Sequence, residues 1–126
     1  MKPTILYVDD DVTSHILFKQ LTTAMLGEVT VVTADDGEQG LAKYSKLREE
    51  GAPLKIVFTD YNMPNKNGGQ LIKEIRERDK DLAIYLCSAH LSKVPLEDVQ
   101  QATGLLDKPF NKQELEAILR AHCNGQ

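Results

Sequence analysis

Five short apolar runs, separated by stretches of helical periodicity, constrain the fold of this chain more than any other feature. The runs are Ile5–Val8, Val29–Val32, Ile56–Phe58, Ala83–Cys87 and the brief Leu105–Leu106. They are continuous rather than alternating, as parallel strands covered on both faces are. Between them, Ile16, Leu17, Leu21, Ala24 and Met25 lie along one helical stripe. Leu71, Ile72 and Ile75 form another, and Leu115, Ile118 and Leu119 a third. Asp36-Gly37 can turn the chain into a second helix, near Glu38 to Glu50, which Gly51 and Pro53 stop. Pro95 is tolerated only in a first turn, so the fourth helix is expected from about Pro95 to Thr103. The pattern predicts an α/β fold: five βα units on a doubly wound parallel sheet, with right-handed crossovers.

In such a sheet, ligands bind beyond the carboxyl ends of the strands. The first run is followed by Asp9, Asp10 and Asp11, the third by Asp60, the fourth by Ser88 and the fifth by Lys108. Carboxylates crowded at one edge repel: at ~4 Å and an effective dielectric near ~20, each pair costs about 4 kcal/mol. A bound proton or cation relieves this. An oxygen-only cluster without His or Cys suits a hard cation, and Mg²⁺ needs only one or two carboxylates beside waters and phosphate oxygens. Phosphoryl transfer needs a nucleophile, a metal and a cation on the transferring oxygens. Asp60, the aspartates and Lys108 are candidates for those parts.

Asp9-Asp10, then Asp60-Tyr61-Asn62-Met63-Pro64 with Gly68 beyond, then Ser88-Ala89, then Lys108-Pro109-Phe110 resemble, in order and spacing, the signature of response-regulator receiver domains. The resemblance covers essentially the whole chain, 1–126. It implies a flavodoxin-like, three-layer (βα)5 sandwich with strand order 2-1-3-4-5. It implies that Asp60 is the phosphoacceptor, that Asp10 binds Mg²⁺ directly (Mn²⁺ as substitute), and that Asp9 acts mostly through a metal-bound water. The backbone carbonyl of Asn62 would be another ligand, the Ser88 hydroxyl and Lys108 ammonium would hold phosphoryl oxygens, and the Lys108–Pro109 bond would be cis. The partners implied are a histidine kinase or histidine phosphotransfer protein, docking beside the first helix, and an output partner reading the face of the fourth helix, fifth strand and fifth helix. The chain would be a switch and not an enzyme in the ordinary sense, catalysing only its own phosphoryl transfer and dephosphorylation. It departs from the pattern at Leu105, where an aromatic residue is common, at Ser88, where threonine is commoner, and at Asp107, an acid beside the lysine.

Two other functions compete. Ile5 to Thr13 resembles the first motif of haloacid-dehalogenase-type phosphatases, with Asp9 as nucleophile, Asp11 as general acid, and Ser88 and Lys108 on phosphate. Those enzymes need a further acidic strand end after the lysine, where only a helix containing Glu114 and Glu116 is expected. A flavin or nucleotide module needs a Gly/Ser/Thr-rich loop after a strand, and three aspartates repel phosphate. For Asp11, a helix cap is the preferred reading.

A formal net charge of −4 disfavours direct binding to nucleic acid or anionic lipid. No apolar run approaches ~18 residues, and Met1 to Thr4 has no signal-peptide layout, so a cytoplasmic protein without membrane insertion is expected. Two cysteines make no disulfide framework; Cys87 reads as core and Cys123 as a surface thiol. His15 and His122 read as helix-surface residues, and His90 as a loop residue two positions after Ser88.

Overall fold

The computed structural model describes residues 2–123. Among them, strands and helices alternate: β1 (Thr4–Val8), α1 (Val12–Leu26), β2 (Thr30–Ala34), α2 (Gly37–Glu49), β3 (Leu54–Asp60), α3 (Gly68–Arg76), β4 (Ala83–Ser88), α4 (Leu96–Gln101), β5 (Gly104–Asp107) and α5 (Lys112–Cys123). All neighbouring strands pair in parallel, in the order β2-β1-β3-β4-β5. The doubly wound fold and its strand order are as expected.

The pleat divides the core in two. Leu6, Val8, Val57, Ile84 and Leu86 face a cluster that takes in Tyr44 and Leu47 of α2 and Leu71, Ile72 and Ile75 of α3. Ile5, Tyr7, Ile56, Phe58, Cys87 and Leu106 face the other way, against Phe18 of α1 and Leu115 and Leu119 of α5. Every residue of β1 is buried, as a strand paired and covered on both sides must be. β2, at the sheet edge, is half-exposed over most of its length.

Caps set the helix starts. Asp11 accepts from the Thr13 N–H at 3.0 Å, and Asp36 accepts from the Gln39 N–H at 2.8 Å. Asn67 and Gln70 form a reciprocal capping box at α3.

Several sequence expectations need correction. Ile16 and Leu17 do not face the sheet; they are 55% and 45% exposed, and Ala24 is exposed too. Phe18 and Thr22 lie at the centre of the buried face of α1, flanked by Leu21 and Met25. The expected stripe follows the aliphatic residues, whereas the buried face centres on Phe18, which stacks on Tyr7 beneath the helix. The fourth helix is shorter than expected: a 3₁₀ turn covers Leu91–Lys93, and Pro95 caps α4 instead of entering its first turn. Cys123 is buried against the α1–α5 side of the sheet and is no surface thiol. Its thiol is pushed up to about 11 by that burial.

Candidate functional site

Backbone pairing brings the strand ends together. The ladder runs one residue past β1, where the Asp9 N–H donates to the Ala34 carbonyl at 3.0 Å. It also runs past β5, where the Lys108 N–H donates to the Ser88 carbonyl at 3.1 Å. Asp60 closes β3 opposite Cys87, and Ser88 closes β4 opposite Asp107. Asp9, Asp60 and Lys108 keep the alternation of Tyr7, Phe58 and Leu106 and so fall on the α1–α5 side. Asp107 takes the opposite parity and is exposed, away from the cluster.

Carboxylate oxygens of Asp9, Asp10 and Asp60 lie within 4.8 Å of one another. Asp9 is fully buried, Asp60 half-buried and Asp10 exposed. The Lys108 Nζ sits 2.6 Å from Asp9 Oδ2 and 3.7 Å from Asp60 Oδ1, bridging the two acids. Burial works to lower the Lys108 pKa, but the Asp9 hydrogen bond and the two carboxylate charges outweigh it and hold the ammonium above the usual lysine range. Burial is the largest influence on Asp60 and pushes its carboxyl up to about 6, against the pull of Lys108. Asp9 adds to that rise, and the Tyr61 N–H opposes it.

The Ser88 hydroxyl is buried and accepts from the His90 N–H at 2.9 Å, which leaves its own hydrogen free to donate. Asn62 is exposed on the loop after Asp60, and the Lys108–Pro109 bond is cis. A close approach fixes Gly68: a Cβ there would stand 2.5 Å from the Asp60 carbonyl oxygen, where the N-terminus of α3 packs against the end of β3.

Three contacts were missed in the sequence. The Tyr7 hydroxyl donates to Asp9 Oδ2 at 2.9 Å. Burial first, then the Asp9 charge, push that phenol far above its usual range, so it stays protonated. His15, read as a surface residue, turns inward with Nε2 at 2.6 Å from the Asp9 carbonyl oxygen. Tyr61 donates its hydroxyl to Asp98 of α4 at 2.9 Å. Strand parity offers the one signal for Tyr7, two residues before Asp9 on the same face. The other two depend on tertiary packing. His122 is also half-buried, with Nε2 at 3.3 Å from the Tyr85 hydroxyl.

The response regulator receiver domain model matches residues 5–120. The chain belongs to the response-regulator receiver family. A probable chemotaxis protein CheY of Rhizobium etli is 32% identical over 124 residues, covering 95% of this receiver and 92% of the relative. The crystal structure of a receiver domain protein from Clostridium thermocellum aligns with a TM-score of 0.80 at 25% identity, covering 97% of this chain and 94% of that one. The response regulator TrrA of Thermotoga maritima, solved in complex with Mg²⁺-BeF, aligns with a TM-score of 0.76 at 28% identity, covering 96% and 98%. The phosphatase alternative finds no support in these likenesses. Within the receiver, Asp9 is only 1% exposed along its side chain, and both its oxygens are engaged by protein donors, a poor arrangement for a nucleophile.

Proposed function

We propose that this receiver is a phosphorylation-controlled switch in which the Asp60 carboxylate accepts a phosphoryl group from a phosphohistidine. The observation that carries this reading is the meeting of Asp9, Asp10, Asp60 and Lys108 at the carboxyl edge of the sheet. Asp60 combines a carboxyl pKa raised by burial with a half-buried side chain that an incoming group can reach. The donor set fits Mg²⁺, being oxygen-only and rich in carboxylates. Asp9, Asp10, Asp60 and the Asn62 carbonyl would hold the ion, with Mn²⁺ as a substitute. When bound, it neutralises the crowded acids and the oxygens of the phosphoryl group.

The chain's own residues do the rest. An Asp60 carboxylate oxygen attacks phosphorus, the oxygen–phosphorus bond forms as the nitrogen–phosphorus bond breaks, and the electron pair returns to the donor's imidazole. Lys108, already between Asp9 and Asp60, turns its ammonium onto a phosphoryl oxygen. The buried Ser88 hydroxyl donates to another. These movements bias a pre-existing equilibrium between two packings, which an output partner reads on the face of α4, β5 and α5. Hydrolysis of the acyl phosphate resets the switch. The donor is a histidine kinase or histidine phosphotransfer protein of the cytoplasm. It docks beside α1, where Leu17 borders a cleft shared with Ser14, Ala89, Lys108, Pro109 and Phe110.

Incubation with acetyl phosphate and Mg²⁺ tests the proposal by intact mass. One added phosphate is expected, and Asp60→Asn should remove it. Label that persists in Asp60→Asn and maps to Asp9 would refute the assignment.

A further inference from the structure

The Tyr7 ring is held on three sides. It stacks on Phe18 with centroids 4.2 Å apart and planes 12° apart, and it meets His15 and Phe110 edge-on at 5.9 and 6.2 Å. A phenylalanine would satisfy all of this packing. The hydroxyl adds a polar group to a fully buried position, which is unfavourable unless it is hydrogen-bonded. Its partner is Asp9 Oδ2.

The donors around Asp9 divide unequally. Oδ1 accepts the Asp11 N–H at 3.0 Å. Oδ2 accepts the Tyr7 hydroxyl at 2.9 Å and the Lys108 ammonium at 2.6 Å. Two of these donors are fixed, one by the turn into α1 and one by the aromatic stack. Lys108 is the mobile one, on a flexible stem that is 20% exposed, with Asp60 already 3.7 Å away. Turning Lys108 toward a phosphoryl group on Asp60 removes the ionic partner from a carboxylate that is 1% exposed. A buried acceptor left without any donor is heavily penalised.

We propose that Tyr7 is a positioning residue of this site: its hydroxyl fixes the Asp9 carboxylate for the metal and remains as the donor to Oδ2 when Lys108 leaves. The proposal rests on the phosphorylation reading above and assigns a role that no motif residue of the family signature carries. Without the hydroxyl, Asp9 can rotate, and Lys108 becomes the sole donor to Oδ2 and is held back from Asp60.

Calorimetric titration with Mg²⁺ alone tests this in the unmodified chain, Tyr7→Phe, Asp9→Asn and the double variant. Tyr7→Phe retains the ring and is expected to weaken Mg²⁺ binding about ten-fold, as removal of a hydrogen-bond partner behind a metal ligand does. In the Asp9→Asn background it should cause no further loss. Equal or tighter binding by Tyr7→Phe, or the same loss in both backgrounds, overturns the role of Tyr7. Absence of Mg²⁺ binding by the unmodified chain would instead overturn the site reading itself. A second measurement needs no variant. With Mg²⁺ and beryllofluoride added, the Tyr7 hydroxyl proton should remain visible by NMR as a slowly exchanging signal. Its loss to exchange with water would show that the hydroxyl no longer holds Asp9 in the switched state.

Discussion

At Asp60, burial and the neighbouring acids hold the proton more tightly in the folded chain than in the unfolded one, raising the pKa to about 6 from the ordinary ~3.9. The folded state therefore binds the extra proton between these two values, and stability falls as pH rises through that window. Asp60→Asn removes the titration. In the metal-free protein, the stability advantage of Asp60→Asn over the unmodified chain should grow by about 2 kcal/mol from pH ~4 to pH ~7, less than the full linkage because part of the titration lies below pH ~4. Urea unfolding at both pH values in chelator measures it. A difference independent of pH would mean that Asp60 feels neither its burial nor its acidic neighbours. At the proposed site the same proton would compete with the metal ion, because only the carboxylate can hold it. Mg²⁺ binding should accordingly weaken as pH falls below about 6.

At the scale of elements, α4 stands apart among the described α-helices in its shallow burial. It spans Leu96–Gln101 and buries none of its residues fully. Two polar ties hold it to the rest. The Tyr61 hydroxyl donates to Asp98, and the Arg76 Nε donates to the Gln101 carbonyl at 2.9 Å. Asp98 also packs so tightly on the start of α3 that a Cβ at Gly69 would stand 2.3 Å from its Oδ2. Tyr61 follows the proposed acceptor directly, so its hydroxyl links the end of β3 to α4 through one side chain. Leu105, where an aromatic residue is common in receivers, is a half-buried part of the core on this side of the sheet. Removing the tie by Tyr61→Phe should release about 1 kcal/mol of local stability. Amide hydrogen exchange in α4 should then quicken roughly five-fold, while β1 and β3 exchange as before. Uniform acceleration over the whole chain would argue that Tyr61 serves global packing and not α4.

For the molecule as a whole, α1 presents apolar residues to solvent beside the acid cluster. Val12, Ile16 and Leu17 are 63%, 55% and 45% exposed. Exposed apolar side chains gathered beside a reactive site mark a surface for another protein. A phosphotransfer protein seated there would carry its phosphohistidine toward Asp60. Ile16→Asp and Leu17→Asp place charge in that contact without disturbing the core. Phosphotransfer from a phosphorylated histidine protein should slow about ten-fold or more, the scale of losing one anchor residue. Labelling by acetyl phosphate, which needs no docking, should be unchanged. If both donors slow alike, the substitutions act on the site and α1 is not the docking face.

The sequence alone determined the alternation of strands and helices, because continuous apolar runs can be buried only in a sheet covered on both sides. It also determined which residues end those strands, and hence the convergence of Asp9, Asp10, Asp60, Ser88 and Lys108, since a parallel sheet brings all its carboxyl ends to one edge. Tertiary structure decided how each side chain is used once there. Only the packing of α1 shows that Phe18 is buried and Ile16 and Leu17 are not, because a helical stripe defined by hydropathy leaves the rotation of the helix uncertain. Only contacts between residues distant in the chain make Tyr61 a partner of Asp98. Asp9 lies ninety-nine residues before Lys108, and no local pattern records that their ion pair shares one oxygen with the Tyr7 hydroxyl.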